Sequence, residues 1–124
     1  MLLPLLIVLS SVASPPAEDD VLGTLVFGPE AMYFVECGGT EKLWLNGLSL
    51  KSPGWEAVNY VLEAQPRCDL DQLPCTPQRV IVMGRARKSQ PGNYGHLSEY
   101  ERDITFVRIG VGSQKELERC ESET

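Results

Sequence analysis

Pro53-Gly54-Trp55-Glu56-Ala57-Val58-Asn59-Tyr60-Val61-Leu62-Glu63-Ala64-Gln65 is the stretch on which the reading of this chain turns. Its apolar residues Trp55, Val58, Val61 and Leu62 recur at three- and four-residue spacing, which places them on one stripe of a helix. Ser52 stands where an N-cap belongs, Pro53 suits the first helical position, and Pro66 follows the end. The spacing therefore predicts a helix from Pro53 to Gln65.

The segments on either side have the period and punctuation of strands. Val21 to Phe27 is β-branched and apolar, Gly28-Pro29 ends it, and Ala31 to Glu36 reads as a second strand. Cys37-Gly38-Gly39-Thr40 forms the next turn. Lys42 to Leu45 is a short third strand with Leu43 and Leu45 on one face, closed by the turn signal Asn46-Gly47. After the helix, Arg79 to Lys88 has a centre, Val80-Ile81-Val82-Met83, that is apolar on both faces and predicts a central strand. Ile104 to Val111 predicts the last strand, with Val107, Ile109 and Val111 inward. Three strands, a helix and two strands is the order βββ-α-ββ of the five-stranded OB-like barrel, in which the helix closes the bottom between strands three and four. The expected fold class is thus mainly β with one helix, over a domain spanning residues 21–112. An open α+β roll is the alternative arrangement of the same elements. Residues 113–124 read as a polar, acidic tail tethered through Cys120.

Met1 to Ala13 is small and apolar throughout, and too short for a spanning helix, which needs roughly 20 such residues. It reads as a signal peptide that lacks the usual basic n-region. Ser11 and Ala13 sit at the positions a signal peptidase inspects, and residues 14–20, opening with Ser14-Pro15-Pro16, form a disordered lead. No cysteine follows the apolar run closely, so no lipid anchor is expected, and the location is extracytoplasmic, periplasmic or secreted. Four cysteines in a small exported chain imply two disulfides with three possible pairings. The short span favours Cys68 with Cys75, a closure worth about 2.5 kcal/mol in the chain-entropy treatment. That leaves Cys37 with Cys120, whose long loop is worth about 4.6 kcal/mol. A four-cysteine zinc site is the competing reading, but no Cys-x-x-Cys pair is present.

Eleven Lys and Arg against seventeen Asp and Glu give a net charge of −6. Such a balance argues against nucleic acid and against an anionic membrane surface as partners. Arg79, Arg85, Arg87 and Lys88 are the local exception, a basic stripe on an acidic body.

Two segments carry a family resemblance: Gly23-Thr24-Leu25-Val26-Phe27-Gly28-Pro29-Glu30 running on to Phe34, Cys37-Gly38-Gly39 and Trp44, and Val82-Met83-Gly84-Arg85 with Gly92-Asn93-Tyr94-Gly95-His96-Leu97 and Tyr100-Glu101-Arg102. In these the chain resembles small bacterial envelope proteins of unassigned function with an OB-like domain, as in the C-terminal domain of the lipoprotein NlpE. The resemblance implies an OB-like fold in the cell envelope. The chain lacks that protein's lipobox cysteine and Cys-x-x-Cys, so the resemblance implies neither copper chemistry nor membrane tethering.

The loop from Ser89 to Asp103 is the densest candidate site. Its two glycines let backbone approach a partner, and Tyr94 and His96 can stack or donate. In OB barrels the loop between strands four and five flanks the binding face. Arg85 and Arg87 feed into it, and Trp44 shares its face with Lys42 and Asn46, so Tyr94, His96, Arg85, Arg87 and Trp44 are the expected ligand-binding residues. The bland alternative is that Tyr94 and His96 fold the loop onto the barrel, while Trp55 belongs to the core. His96 is the single histidine, and Ser98, His96 and Asp103 can be drawn as a triad, but the three lie on one loop without a nucleophile elbow. Glu99, Glu101 and Asp103 are the candidate metal ligands beside it. The expected function is an exported, non-enzymatic binding module of the bacterial cell envelope, monomeric and without cofactor, whose partner is a protein, peptide or glycan. A secreted, disulfide-stapled inhibitor is the alternative, and a small extracytoplasmic hydrolase trails both. N-terminal sequencing of protein from the extracytoplasmic fraction should find a start near Ser14; an intact Met1 on a cytoplasmic product would contradict the export reading.

Overall fold

A computed structural model describes residues 17–124 of the chain. The expected signal segment, residues 1–13, and the start of the lead lie outside the described residues. Five strands, β1 (Glu18–Gly28), β2 (Ala31–Glu36), β3 (Leu43–Leu45), β4 (Gln78–Lys88) and β5 (Asp103–Val111), close into a barrel in the order β1-β2-β3-β5-β4. The single parallel contact is β3 with β5, where Trp44 lies beside Asp103 and Leu45 beside Ile104. This is the OB-like barrel that the element order implies; the open roll is not what forms. Closure pairs every strand on both sides and removes exposed sheet edges.

Alternation along the strands fills the interior. Leu25, Phe34, Leu43, Leu45, Val82, Ile104 and Phe106 are buried, and the rings of Phe34 and Phe106 meet edge to face at 5.4 Å. On β5 the expected inward set, Val107, Ile109 and Val111, is corrected: Ile104, Phe106 and Ile109 point in, Val107 is half-buried and Val111 is exposed. The cause is a bulge. Arg85 pairs with Arg108 but Ala86 pairs with Phe106, so Val107 is an extra residue that shifts the two-residue period by one.

Between β3 and β4 lies α1 (Trp55–Glu63), shorter than the predicted helix by its end turns. Val58 and Leu62 are buried against the barrel, and Trp55 and Val61 pack beside them. Burial of Val58 and Leu62 contributes about 1.5–3 kcal/mol each. Ser52 is not the N-cap. Its hydroxyl donates to the Ser49 carbonyl at 2.6 Å and ends the 3₁₀ turn Gly47–Lys51, while Gly54 caps the helix at φ 94°. Only glycine fits there, because a Cβ on Gly54 would stand 1.7 Å from the Ile109 carbonyl oxygen.

That close approach has a purpose in the barrel. β3 offers β5 three residues, and beyond it the edge of β5 is completed by the chain leading into α1. The Asn46 N–H donates to the Ile104 carbonyl at 2.9 Å, the buried Ser49 hydroxyl accepts the Phe106 N–H at 2.9 Å, and the Pro53 carbonyl accepts the Ile109 N–H at 3.0 Å. Residues 46–53 thus act as an irregular continuation of β3.

The N-terminal lead and the C-terminal tail differ from expectation. Residues 18–20 are strand rather than disordered lead: Asp20 sits opposite Arg85 and Glu18 opposite Arg87, and such opposite-charge cross-strand pairs favour pairing. The predicted polar tail is largely a helix, α2 (Gln114–Ser122). A capping box starts it, with the Ser113 hydroxyl accepting the Glu116 N–H and the Glu116 carboxylate accepting the Ser113 N–H. Leu117 is buried beside Thr24, Ile81 and Val111 on the outside of the barrel wall. Both expected disulfides are present: Cys37–Cys120 fastens α2 to the end of β2 with the Cα atoms 6.3 Å apart, and Cys68–Cys75 closes the loop after α1 at 5.5 Å.

Ser49→Ala leaves the Phe106 N–H unpaired in a dry site, so it should lower unfolding free energy by about 1–3 kcal/mol in urea titrations. A neutral effect would show that Ser49 does not complete the β5 edge.

Candidate functional site

The outer face of β2 and β3 carries an aromatic surface. Phe34 and Leu43 point inward, so their neighbours Tyr33 and Trp44, directly opposite each other across the two strands, point outward. The loop between β4 and β5 lies over them. Tyr100 brings its ring 5.3 Å from that of Trp44 and 6.4 Å from that of Tyr33, and the Lys42 ammonium stands 4.9 Å from the Tyr33 ring centre. The rings are tilted at 52° and 35°, which gives a ridged surface in place of a flat plate.

The loop is ordered by its own backbone as a continuation of β4 and β5. Gly92 N–H donates to the Glu101 carbonyl at 2.8 Å, and Tyr94 and Tyr100 exchange N–H···O bonds of 2.9 and 3.1 Å. The close backbone approach made possible by Gly95 is to Trp44, not to a partner: at φ +74° a Cβ would stand 2.5 Å from indole Cδ2. Tyr94 donates its hydroxyl to the Gln90 carbonyl at 2.9 Å. His96 Nε2 lies 3.4 Å from a Glu30 carboxylate oxygen, which joins the loop to the turn between β1 and β2. His96 thus ties the loop to the barrel, whereas the Tyr94 hydroxyl is bonded within the loop, and both side chains are half-buried.

Arg85 and Arg87 do not converge with these groups. They lie on the outer side of β4, and β5 separates that strand from β3. Arg85 reaches Asp20 at 3.9 Å and the Glu18 carbonyl at 3.4 Å, so the basic stripe is matched by the acidic start of β1. Of the five expected ligand-binding residues, Trp44 lies against the loop at Gly95, the residue between Tyr94 and His96, and the two arginines stand apart. Trp44 is half-buried, as its polar neighbours suggest; Trp55 is half-buried too, packed on the core with its ring 6.1 Å from that of Phe27.

The drawn triad does not assemble. Asp103 accepts the Asn46 amide at 2.9 Å, and His96 faces Glu30. No group of three or more His, Cys, Asp or Glu among the described residues is placed to hold a metal ion. Tyr33, Lys42 and Glu30 were outside the expected set. Tyr33 is readable from strand alternation, since Phe34 had to face the core, whereas the Glu30–His96 contact joins turns far apart in sequence and leaves no local signal.

Beside Tyr100 a shallow cleft is lined by Thr40, Glu41, Lys42, Glu99 and Glu101. Arg102 binds Glu41 through both guanidinium and carboxylate forks, and this hydrogen bond holds the Glu41 carboxyl below its ordinary 4.5 and pushes Arg102 upward. Burial, with smaller contributions from Tyr33 and Glu99, raises the Tyr100 phenol, which keeps it neutral.

No protein family, curated protein or solved structure matches the chain. The resemblance to NlpE-type envelope proteins gains no support from those comparisons.

The Glu41–Arg102 pair predicts a pH dependence. A folded-state value below the unfolded one contributes stability that is complete above the unfolded carboxylate range and is lost as pH falls through the folded value. The side chains keep 39% and 33% of their surface exposed, so a double-mutant cycle of Glu41→Gln and Arg102→Met should give a coupling of about 0.5–1 kcal/mol at neutral pH. The coupling should vanish in acid below the folded value; a coupling that persists there would contradict the ionic origin.

Proposed function

We propose that the chain is an exported, non-enzymatic binding module of the bacterial cell envelope, which holds a peptide, protein or glycan through the outer face of β2 and β3 and the loop at residues 89–103. The observation that carries this reading is the ridge of Tyr33, Trp44 and Tyr100, edged by Lys42, on the face that OB barrels use for ligands. Aromatic rings with hydroxyl or N–H groups offer apolar area and a polar handle together, which suits sugar rings and peptide side chains. Glu99 and Glu101 along the adjoining cleft add acceptors for hydroxyl or ammonium groups and make a polyanion such as nucleic acid a poor fit.

Two further features support the reading. Two of the loop's titratable groups are engaged in holding it, His96 with Glu30 and Asp103 with Asn46, which supports a binding face over proton transfer. Both disulfides are compatible with an extracytoplasmic location, and no helix among the described residues is long and apolar enough to cross a membrane.

Arrays of envelope glycans and peptides, probed with the oxidised protein, test this directly. Trp44→Ala and the double substitution Tyr94→Ala with His96→Ala should each weaken retained ligands by about tenfold, a loss of roughly 1.4 kcal/mol. Arg85→Ala should leave them unchanged. Binding that survives loss of Trp44 while the fold is intact would sink the assignment of this face.

A further inference from the structure

α2 does little to hold itself on the barrel. Its capping box is internal, and the Ser122 and Thr124 hydroxyls donate to the Arg119 and Glu121 carbonyls of the same segment. Among the described residues no ion pair and no hydrogen bond runs from α2 to a strand. Leu117 is its one buried side chain, and an open cleft lined by Thr24, Ile81, Val111 and Gln114 remains beside it. A helix of nine residues is marginal in water without packing or a covalent tie. Two ties exist. At its start the chain leaves β5 through Gly112, whose N–H donates to the Ile81 carbonyl at 2.8 Å. At its end stands Cys37–Cys120, with Thr124 lying against Gly38 beside it.

The wall beneath α2 is largely apolar. Leu22 pairs with Met83 and Thr24 with Ile81 across β1 and β4, and these four face outward because Leu25 and Val82 face the core. Thr24 and Ile81 share the cleft with Leu117, while Leu22 and Met83 share a second cleft with both cysteines. The disulfide is therefore on the surface of a cleft, with Cys37 and Cys120 each half-buried. Asp20 and Glu36, the carboxylates of that cleft, are paired with Arg85 and Lys88, which lessens their repulsion of an approaching thiolate. The barrel itself closes through its own ladders and the 46–53 segment, neither of which includes α2.

We infer that α2 is a strap held over the outer face of β1 and β4 by Cys37–Cys120 and released by a dithiol reductant. One thiolate of the dithiol attacks a sulfur of the bridge, and its second thiolate displaces that sulfur from the mixed disulfide. Cys37 and Cys120 end as thiols carrying the two protons of the dithiol, which leaves as its own disulfide. α2 then unwinds, and Leu22, Ile81 and Met83 are uncovered on a barrel that stays closed. The inference is independent of the reading of the β2–β3 face.

Nuclear magnetic resonance of the double variant Cys37→Ser with Cys120→Ser, which keeps Cys68–Cys75, tests the strap. The Cα shifts of residues 114–122 should move from helical to coil values, while those of β1 to β5 stay in place. Helical shifts retained over 114–122, with Leu117 still in contact with Ile81, overturn the proposal, because α2 then holds itself. Collapse of the strand shifts overturns it too, since the disulfide is then a fastening of the barrel. Dithiothreitol followed by alkylation of the folded wild-type protein should label Cys37 and Cys120 and give the same loss of helical shifts. Labelling of these two cysteines that requires urea would contradict release from the folded state.

Discussion

The barrel depends on how the edge of β5 is satisfied. β3 is three residues long, far shorter than the strand it must cover, and a buried N–H without a partner costs about as much as several well-made surface contacts gain. The chain resolves this with Asn46, Ser49 and Pro53, two backbone groups and one hydroxyl laid along β5 after β3 has ended. The same run of residues positions Gly54 against the Ile109 carbonyl and so fixes where α1 begins. Helix placement and the completed edge of β5 are consequences of one set of hydrogen bonds.

With the closure fixed, the candidate surface follows from which side chains the strands turn outward. Strand alternation turns Tyr33 and Trp44 outward wherever Phe34 and Leu43 face the core. The hairpin-like loop from β4 to β5 then folds back until Gly95 lies on the Trp44 indole and His96 reaches Glu30. Elsewhere, α1 must close the barrel but cannot cover the 3₁₀ turn and the Cys68–Cys75 loop as well, and their leucines stay in water. A single core of this size has too little apolar volume to bury everything the chain carries.

Much of the fold was legible because it is local. The helical recurrence of Trp55, Val58, Val61 and Leu62, the turn glycines and the alternating strands each announce themselves within a few residues, and their order selects the barrel. The disulfide pairing was legible from loop length. The bulge at Val107 was not, since nothing in Thr105-Phe106-Val107-Arg108 marks an extra residue until β4 is laid beside it. α2 was legible in principle: Ser113 and Glu116 spell a capping box, but the acidic residues around Leu117 and Cys120 obscure the narrow apolar stripe. Of the candidate site, Trp44, Tyr94 and His96 could be found by residue type and place in the loop. The separation of Arg85 and Arg87 from them could not, because it depends on β5 lying between β4 and β3.

Native-state hydrogen exchange of individual amides measures the central constraint most directly. If the 46–53 segment completes the barrel, the Phe106 and Ile109 amides, whose partners are a side-chain hydroxyl and the Pro53 carbonyl, exchange only through global unfolding and as slowly as the Leu25 amide in the long β1–β4 ladder. Exchange of Phe106 and Ile109 at the rate of exposed loop amides, while Leu25 stays protected, would contradict the account.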